Sequence, residues 1–132
     1  MTKHLISVLA FMAVTFAVQG SSHFLLNKDH FAAVGFLRGS PIMLMGFSVM
    51  IIQGLILSLA LSRLAPTVPT LRDAITISLG FGLFLASYIV LTEPAKYAVP
   101  SILDWIKIEA TASAVQFGVF GILLGWIHRK IA

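Results

Sequence analysis

The sequence predicts an all-α membrane protein, a four-transmembrane-helix antiparallel bundle. Three observations carry that prediction. Four runs, 5–22, 39–62, 74–92 and 110–127, contain no Asp, Glu, Lys or Arg, and each is close to the roughly 20 residues that cross a bilayer core. The composition is 58% hydrophobic and 11% charged, with a mean hydropathy of +0.98, against the ~25% charged residues of ordinary globular domains. The runs are also apolar nearly all round, where helices of a soluble core would keep a polar outer stripe. A backbone in lipid must satisfy its own hydrogen bonds, and helices do so. The chain therefore reads as one integral membrane domain, 1–132, with helices at about 5–26, 41–63, 73–92 and 102–128.

The first helix follows Lys3 and His4. A charged start, an apolar run and Gly20-Ser21 also describe a cleavable signal peptide. The apolar character continues through Phe24-Leu25-Leu26, which favours an uncleaved helix. Loop one, residues 27–40, is longer than a tight connection needs, and Phe31-Ala-Ala-Val34 with Phe36-Leu37 suits a short amphipathic segment on the membrane surface. Pro41 opens the second helix, Pro66 and Pro69 close the following turn, and Pro94 and Pro100 bracket the third loop, because proline is tolerated at helix ends. Trp105 and Trp126 stand near opposite ends of the last helix, as interfacial anchors do.

Basic residues set the expected orientation. The side of the termini carries Lys3, Arg63, Arg72, Arg129 and Lys130, and the other side Lys28, Arg38, Lys96 and Lys107. That split, with Arg129 and Lys130 directly following the last span, places both termini in the cytoplasm. The net charge of +4 is scattered between helices rather than gathered in a stripe, so the bilayer is the expected partner and nucleic acid is not. The absence of cysteine excludes disulfides, thiolate catalysis, iron–sulfur clusters and Cys-ligated zinc.

Polar residues inside the runs are the functional candidates. Thr15, Gln19, Ser22, His23, Asn27 and His30 follow each other at three and four residues, which puts them on one face if the helix continues past Ser22. Glu109, Ser113 and Gln116 form a matching stripe on the last helix, Gln53 adds to the second, and Ser87, Tyr88 and Thr92 to the third. The expected ligand or proton site comprises Gln19, His23, Asn27, Tyr88, Glu93, Lys96, Glu109 and Gln116, converging on an outward pocket. The competing reading for Gln53, Ser87 and Gln116 is interhelical hydrogen bonding without a ligand. Glu109 is a carboxyl about one turn inside an apolar helix, where ionisable groups tend to be functional or paired. His23 is its candidate partner in holding or relaying a proton. The competing reading for Glu93 and Lys96 is a loop ion pair worth little.

No catalytic residue, metal or cofactor is expected. No nucleophile–base pair is apparent, and the four histidines lack metal-ligand spacing. Only His4 and His128 share a depth suitable for haem, and both are expected at exposed helix ends. Small residues mark helix packing: Gly54 and Ser58, Ser78 and Gly82, and the Gly121/Gly125 pair. They serve the bundle itself or leave a face for a homodimer or a larger membrane complex. Shifting the chain by 65 residues aligns Ser22-His23, Leu26 and Ala33-Val34 with Ser87-Tyr88, Leu91 and Ala98-Val99, the mark of a tandem repeat of two helical hairpins.

The run Ser22-His23-Phe24, Asn27, Asp29-His30-Phe31-Ala32-Ala33, Phe36-Leu37-Arg38 and Pro41, then Gly46-Phe47 and Gln53-Gly54, resembles a group of small bacterial membrane proteins with no assigned activity. Thr92-Glu93, Lys96-Tyr97-Ala98-Val99-Pro100 and Gln116-Phe117 are similar to them too. The resemblance implies a four-helix bacterial inner-membrane protein and brings no residue roles with it. The residues themselves suggest an accessory subunit or a small-ligand or lipid-binding protein. The alternative is a small dimeric transporter or channel with Glu109 as its proton-coupled site.

Overall fold

The four apolar runs are helical because they lack interior prolines and carry leucine, isoleucine, phenylalanine and alanine in long succession. The computed structural model describes residues 1–65 and 67–131 and is all-helical, with no strand among the described residues. Helix α1 runs Thr2–Leu26, the short α2 Lys28–Ala32, α3 Met43–Leu64, α4 Leu71–Lys96 and α5 Ile102–Lys130. The four long ones are each long and apolar enough to cross a membrane. Helix α4 begins earlier than its apolar run because Thr70 and Asp73 form a reciprocal cap. The Thr70 hydroxyl accepts from the Asp73 N–H at 3.1 Å, and the Thr70 N–H donates to the Asp73 carboxylate at 2.8 Å. Such a box satisfies two of the unpaired donors of a helix start. Pro69 is buried just before it, whereas Pro66, the other expected turn proline, lies outside the described residues.

Helix α5 is the centre of the bundle. It packs along α4 on one side and α1 on the other; α1 also packs on α3, and α3 meets α4 more sparsely. Close approach depends on small residues. A Cβ on Gly121 would stand 2.9 Å from the Ile75 Cα, and one on Gly82 would stand 2.5 Å from the Phe117 ring. Gly125 similarly faces Ala74 and Leu71, and Gly54 faces Phe11 and Val8. Ser78 donates to the Phe117 carbonyl at 2.7 Å, and Ser58 is fully buried. All six small residues named from the sequence are thus turned inward. The core between them is Phe11, Phe117, Phe120, Leu57, Leu61 and Leu124, with Phe11 edge-on to Phe120 at 4.9 Å. The outside is bulky and apolar: Leu44 is 76% exposed, Leu83 73% and Phe84 81%.

Two helices widen before they end. Helix α1 passes into a π turn over Ser22–Leu26, and α4 does the same over Tyr88–Thr92, close to the 65-residue offset of the internal alignment. The second π turn exposes a consequence of Pro94. In π geometry the Ile89 carbonyl would accept from residue 94, but proline has no N–H. The Trp105 indole N–H replaces it at 3.0 Å. Trp105 is therefore only 4% exposed, a buried strut rather than the interfacial anchor expected of it, whereas Trp126 is exposed. Loop one also turns inward. Phe31 and Val34 pack with Trp105 in a second small core, leaving Phe36 and Leu37 half-exposed.

Substituting Gly121 with Ala should lower the thermal midpoint in detergent, because backbone must move to admit the methyl group, an overpacking cost of about 1–3 kcal/mol. Gly118→Ala on the same helix meets nothing within 4 Å and should leave the midpoint unchanged or slightly raised. Equal losses from both substitutions would contradict the packing described.

Candidate functional site

The polar stripes of α1 and α5 meet in a ladder. Gln116 is 4% exposed, and both ends of its amide are paired. Its Nε2 donates to Thr15 Oγ1 at 2.9 Å, and its Oε1 accepts from Gln19 Nε2 at 2.8 Å. In an apolar setting an amide without partners is costly, so these bonds fix one helix against the other in both rotation and register. They leave Gln116 with little capacity for a ligand, whereas the half-buried Gln19 commits only its amide nitrogen.

One turn further, His23 and Glu109 face each other. The His23 Nδ1 lies 3.0 Å from the Gln19 carbonyl. A carbonyl only accepts, so Nδ1 carries the hydrogen and Nε2 is left toward Glu109. Glu109 is 6% exposed, and its Oε1 stands 3.9 Å from that Nε2. This is the one ion-pair contact among the described residues. The imidazole is held flat on the Phe31 ring, centroid to centroid 3.8 Å, so it is fixed from one side and faces a carboxyl on the other. At 3.9 Å the two are beyond direct hydrogen-bond reach, so they interact through charge when ionised, or through a group placed between them.

The other named residues are distributed differently. Asn27 donates through its amide to Ser22 Oγ at 3.1 Å, inside the π turn. Lys96 donates to the Tyr88 hydroxyl at 2.7 Å and lies 4.9 Å from that ring's centre. It pairs with Tyr88 rather than with Glu93, although Glu93 is nearer in sequence. Glu93 opens the last turn of α4, half-buried. Gln53 belongs elsewhere: it lines a cavity of about 230 Å³ between α3 and α4 with Leu57, Phe81 and Phe84. Ser87 bonds back to the Phe84 carbonyl. His30 packs edge-on to Phe31 and tilted against Trp105.

Two clefts open at this end. One, about 510 Å³, lies between α1 and α5 and includes Ser22, Asn27, Lys107 and Thr111. The other, about 550 Å³, has an aromatic floor of Phe24, Phe31 and Phe36 with Lys28, Arg38 and His23 around it. Of the polar stripe residues read from the sequence, Ser22, His23 and Asn27 line these clefts, whereas Gln19, Gln116 and Glu109 do not.

A second polar cluster at the opposite end escaped the sequence reading. Ser58 Oγ lies 2.8 Å from both His4 Nδ1 and His128 Nε2, and the two rings meet edge-on at 5.7 Å. His128 is only 7% exposed, not at an exposed helix end as expected, because α3 brings Ser58 between the two histidines. Matching depth of His4 and His128 was the available signal. The seryl bridge was hidden because Ser58 also fits a small-residue packing stripe.

Replacing Gln116 with Leu should destabilise the bundle more than Thr15→Val, since it strands the amide of Gln19 as well. A double-mutant cycle of Gln19→Leu with Gln116→Leu should give a coupling of about 0.5–1.7 kcal/mol, the range for polar contacts between membrane helices. Additive effects would mean that the two amides do not depend on each other.

Comparison of the chain with protein-family models, curated proteins and solved structures returns no match.

Proposed function

We propose that the four long helices insert as an antiparallel bundle into a bacterial inner membrane, with both termini cytoplasmic, and that the protein binds an acidic amphiphile at its outward end. The bulky apolar exterior supports insertion, since soluble monomers rarely expose large continuous apolar surface. The observation that carries the ligand reading is the cleft of about 550 Å³ beside His23. Its floor of Phe24, Phe31 and Phe36 suits an acyl or other apolar body, while Lys28 and Arg38 suit an acidic head. His23 forms part of that wall and turns its Nε2 toward Glu109. Charge arriving in the cleft therefore bears directly on the imidazole that neighbours Glu109.

The tandem-repeat reading gains support from the two π turns. At the offset of 65 residues, His23 aligns with Tyr88 and Phe31 with Lys96. Both aligned pairs are in contact, His23 on Phe31 and Tyr88 with Lys96. Because all six small packing residues are used internally, a second copy or a larger complex would dock on the bulky outer faces. Acting as an accessory subunit is compatible with either arrangement.

A second reading rests on Glu109. A buried carboxyl with an imidazole 3.9 Å away is also what a proton-coupled transporter uses, acting as a dimer to enclose a path. In liposomes with an entrapped pH dye, Glu109→Gln would then abolish proton movement while leaving the fold intact.

Native mass spectrometry from mild detergent separates these. The ligand reading expects an acidic lipid or small amphiphile retained on the wild-type chain and lost from the Lys28→Gln/Arg38→Gln variant. A bare wild-type chain, or an adduct that survives both substitutions, would contradict it.

A further inference from the structure

The end of the bundle that holds His4 and His128 has its own open cavity, about 440 Å³, with Lys3, Ser62, His128, Arg129 and Lys130 among its walls. Among the described residues no acidic side chain lines it. Asp73, the acid on this side of the chain, is already held by Thr70 through its carboxylate. Two buried polar atoms here, Ser62 Oγ and His128 Nδ1, have no hydrogen-bond partner among the described residues. Each buried group left unpaired costs about 1–3 kcal/mol. Two of them belonging to residues of one cavity call for a partner from outside the chain.

Part of this arrangement has an ordinary cause. Cations in the last turn of α5 complement the negative end of the helix dipole, which accounts for Arg129 and Lys130. It does not account for Lys3, which stands in the first turn of α1, where the dipole disfavours a cation. It does not account for the two unpaired atoms either. The helix ends themselves balance, because α1 and α4 begin near this cavity while α3 and α5 end there. The fixed dipoles therefore neither attract nor repel an anion strongly, and the side chains decide.

The Ser58 bridge supplies the next step. A hydroxyl has one hydrogen, yet Ser58 Oγ lies within bonding distance of nitrogen atoms from two rings. With both rings neutral, it donates to one and accepts from the other. If it donates to His128 Nε2, the neutral His128 ring carries its hydrogen on Nδ1 and presents a donor. If the direction is reversed, Nδ1 presents a lone pair. An anion among Lys3, Arg129 and Lys130 selects the first arrangement, because only a donor is satisfied by it.

We infer that this cavity binds a phosphate-type oxyanion, either free phosphate or the phosphodiester of a lipid headgroup, held by Lys3, Arg129 and Lys130 with Ser62 Oγ and His128 Nδ1–H. The donors come from α1, α3 and α5 and so approach from separate directions. A tetrahedral anion offers oxygens to all of them, where a planar carboxylate offers two in one plane. The site is independent of the ligand proposed for the opposite end.

The test uses the full chain with ¹⁵N-labelled histidine in phosphatidylcholine nanodiscs, with the His128 signals assigned from a His128→Asn variant. The probes are inorganic phosphate and, separately, phosphatidylglycerol added to the bilayer. The expected result is that His128 Nδ1 moves to the position of a protonated ring nitrogen donating a hydrogen bond. The half-saturation point should rise about tenfold or more in Arg129→Gln/Lys130→Gln, given the strength of charge-assisted bonds. Both residues are exposed, so the substitutions leave the core untouched. A response to phosphate identifies a site for the free anion, and a response to phosphatidylglycerol alone identifies the headgroup as its source. No movement of the His128 signals with either probe overturns the inference. So does a movement that is unchanged in Arg129→Gln/Lys130→Gln.

Discussion

A helix whose outward face is leucine, isoleucine and phenylalanine has no polar surface on which to leave a polar side chain. Such groups are drawn toward partners inside, and in this protein that constraint sets how the helices are aligned. From one end of α5 to the other, His128 reaches Ser58 and His4, the Phe117 carbonyl accepts from Ser78, and Gln116 joins Thr15 and Gln19. Trp105 then supplies the hydrogen bond that Pro94 cannot give to Ile89. Together these contacts tie α5 to α1, α3 and α4. Apolar packing alone would leave the helices free to slide by a residue or rotate; the polar contacts remove that freedom. The close approaches at Gly82 and Gly121 then bring α4 within van der Waals contact of α5.

Much of this was legible in the sequence, for reasons that can be stated. Uncharged runs of helical length gave the four long helices. The spacing of three and four in Thr15, Gln19 and His23, matched by Glu109 and Gln116, gave two polar faces, and opposed polar faces in an apolar chain turn toward each other. Other features depended on information that spacing does not hold. Gln53 is apart from Gln116 because α3 is apolar on all sides, so nothing in its pattern fixes which way one glutamine points. Lys96 chose Tyr88 over Glu93 because the π turn brings the phenol beneath it, and a π turn has no simple sequence signature. Trp105 was misplaced for a related reason: its partner is a carbonyl freed by a proline in another helix. His128 was read as exposed because helix ends usually are.

The two ends of the bundle differ in chemistry. Around His23 the walls are aromatic, with His23 itself among them and the Glu109 carboxyl buried. Around His128 the walls are cationic, with a serine-bridged pair of histidines. π turns are frequent near functional sites because the extra residue redirects side chains that a regular helix would stack. Here both π turns lie toward the His23 end. In the membrane reading, that end would face outward with an amphiphile in its cleft, and the basic end would face the cytoplasm, consistent with the bias of basic residues toward that side.

The account rests above all on the apolar exterior facing lipid in that orientation, and the lack of native cysteine makes this directly measurable. Single cysteines at Ser40, in the loop after α2, and at Val68, in the turn before α4, are both exposed positions. They would be challenged with a membrane-impermeant maleimide in intact spheroplasts and again after lysis. The account predicts that Ser40→Cys is labelled in intact cells and Val68→Cys only after lysis. Equal labelling of both in intact cells, or the reverse pattern, would contradict it.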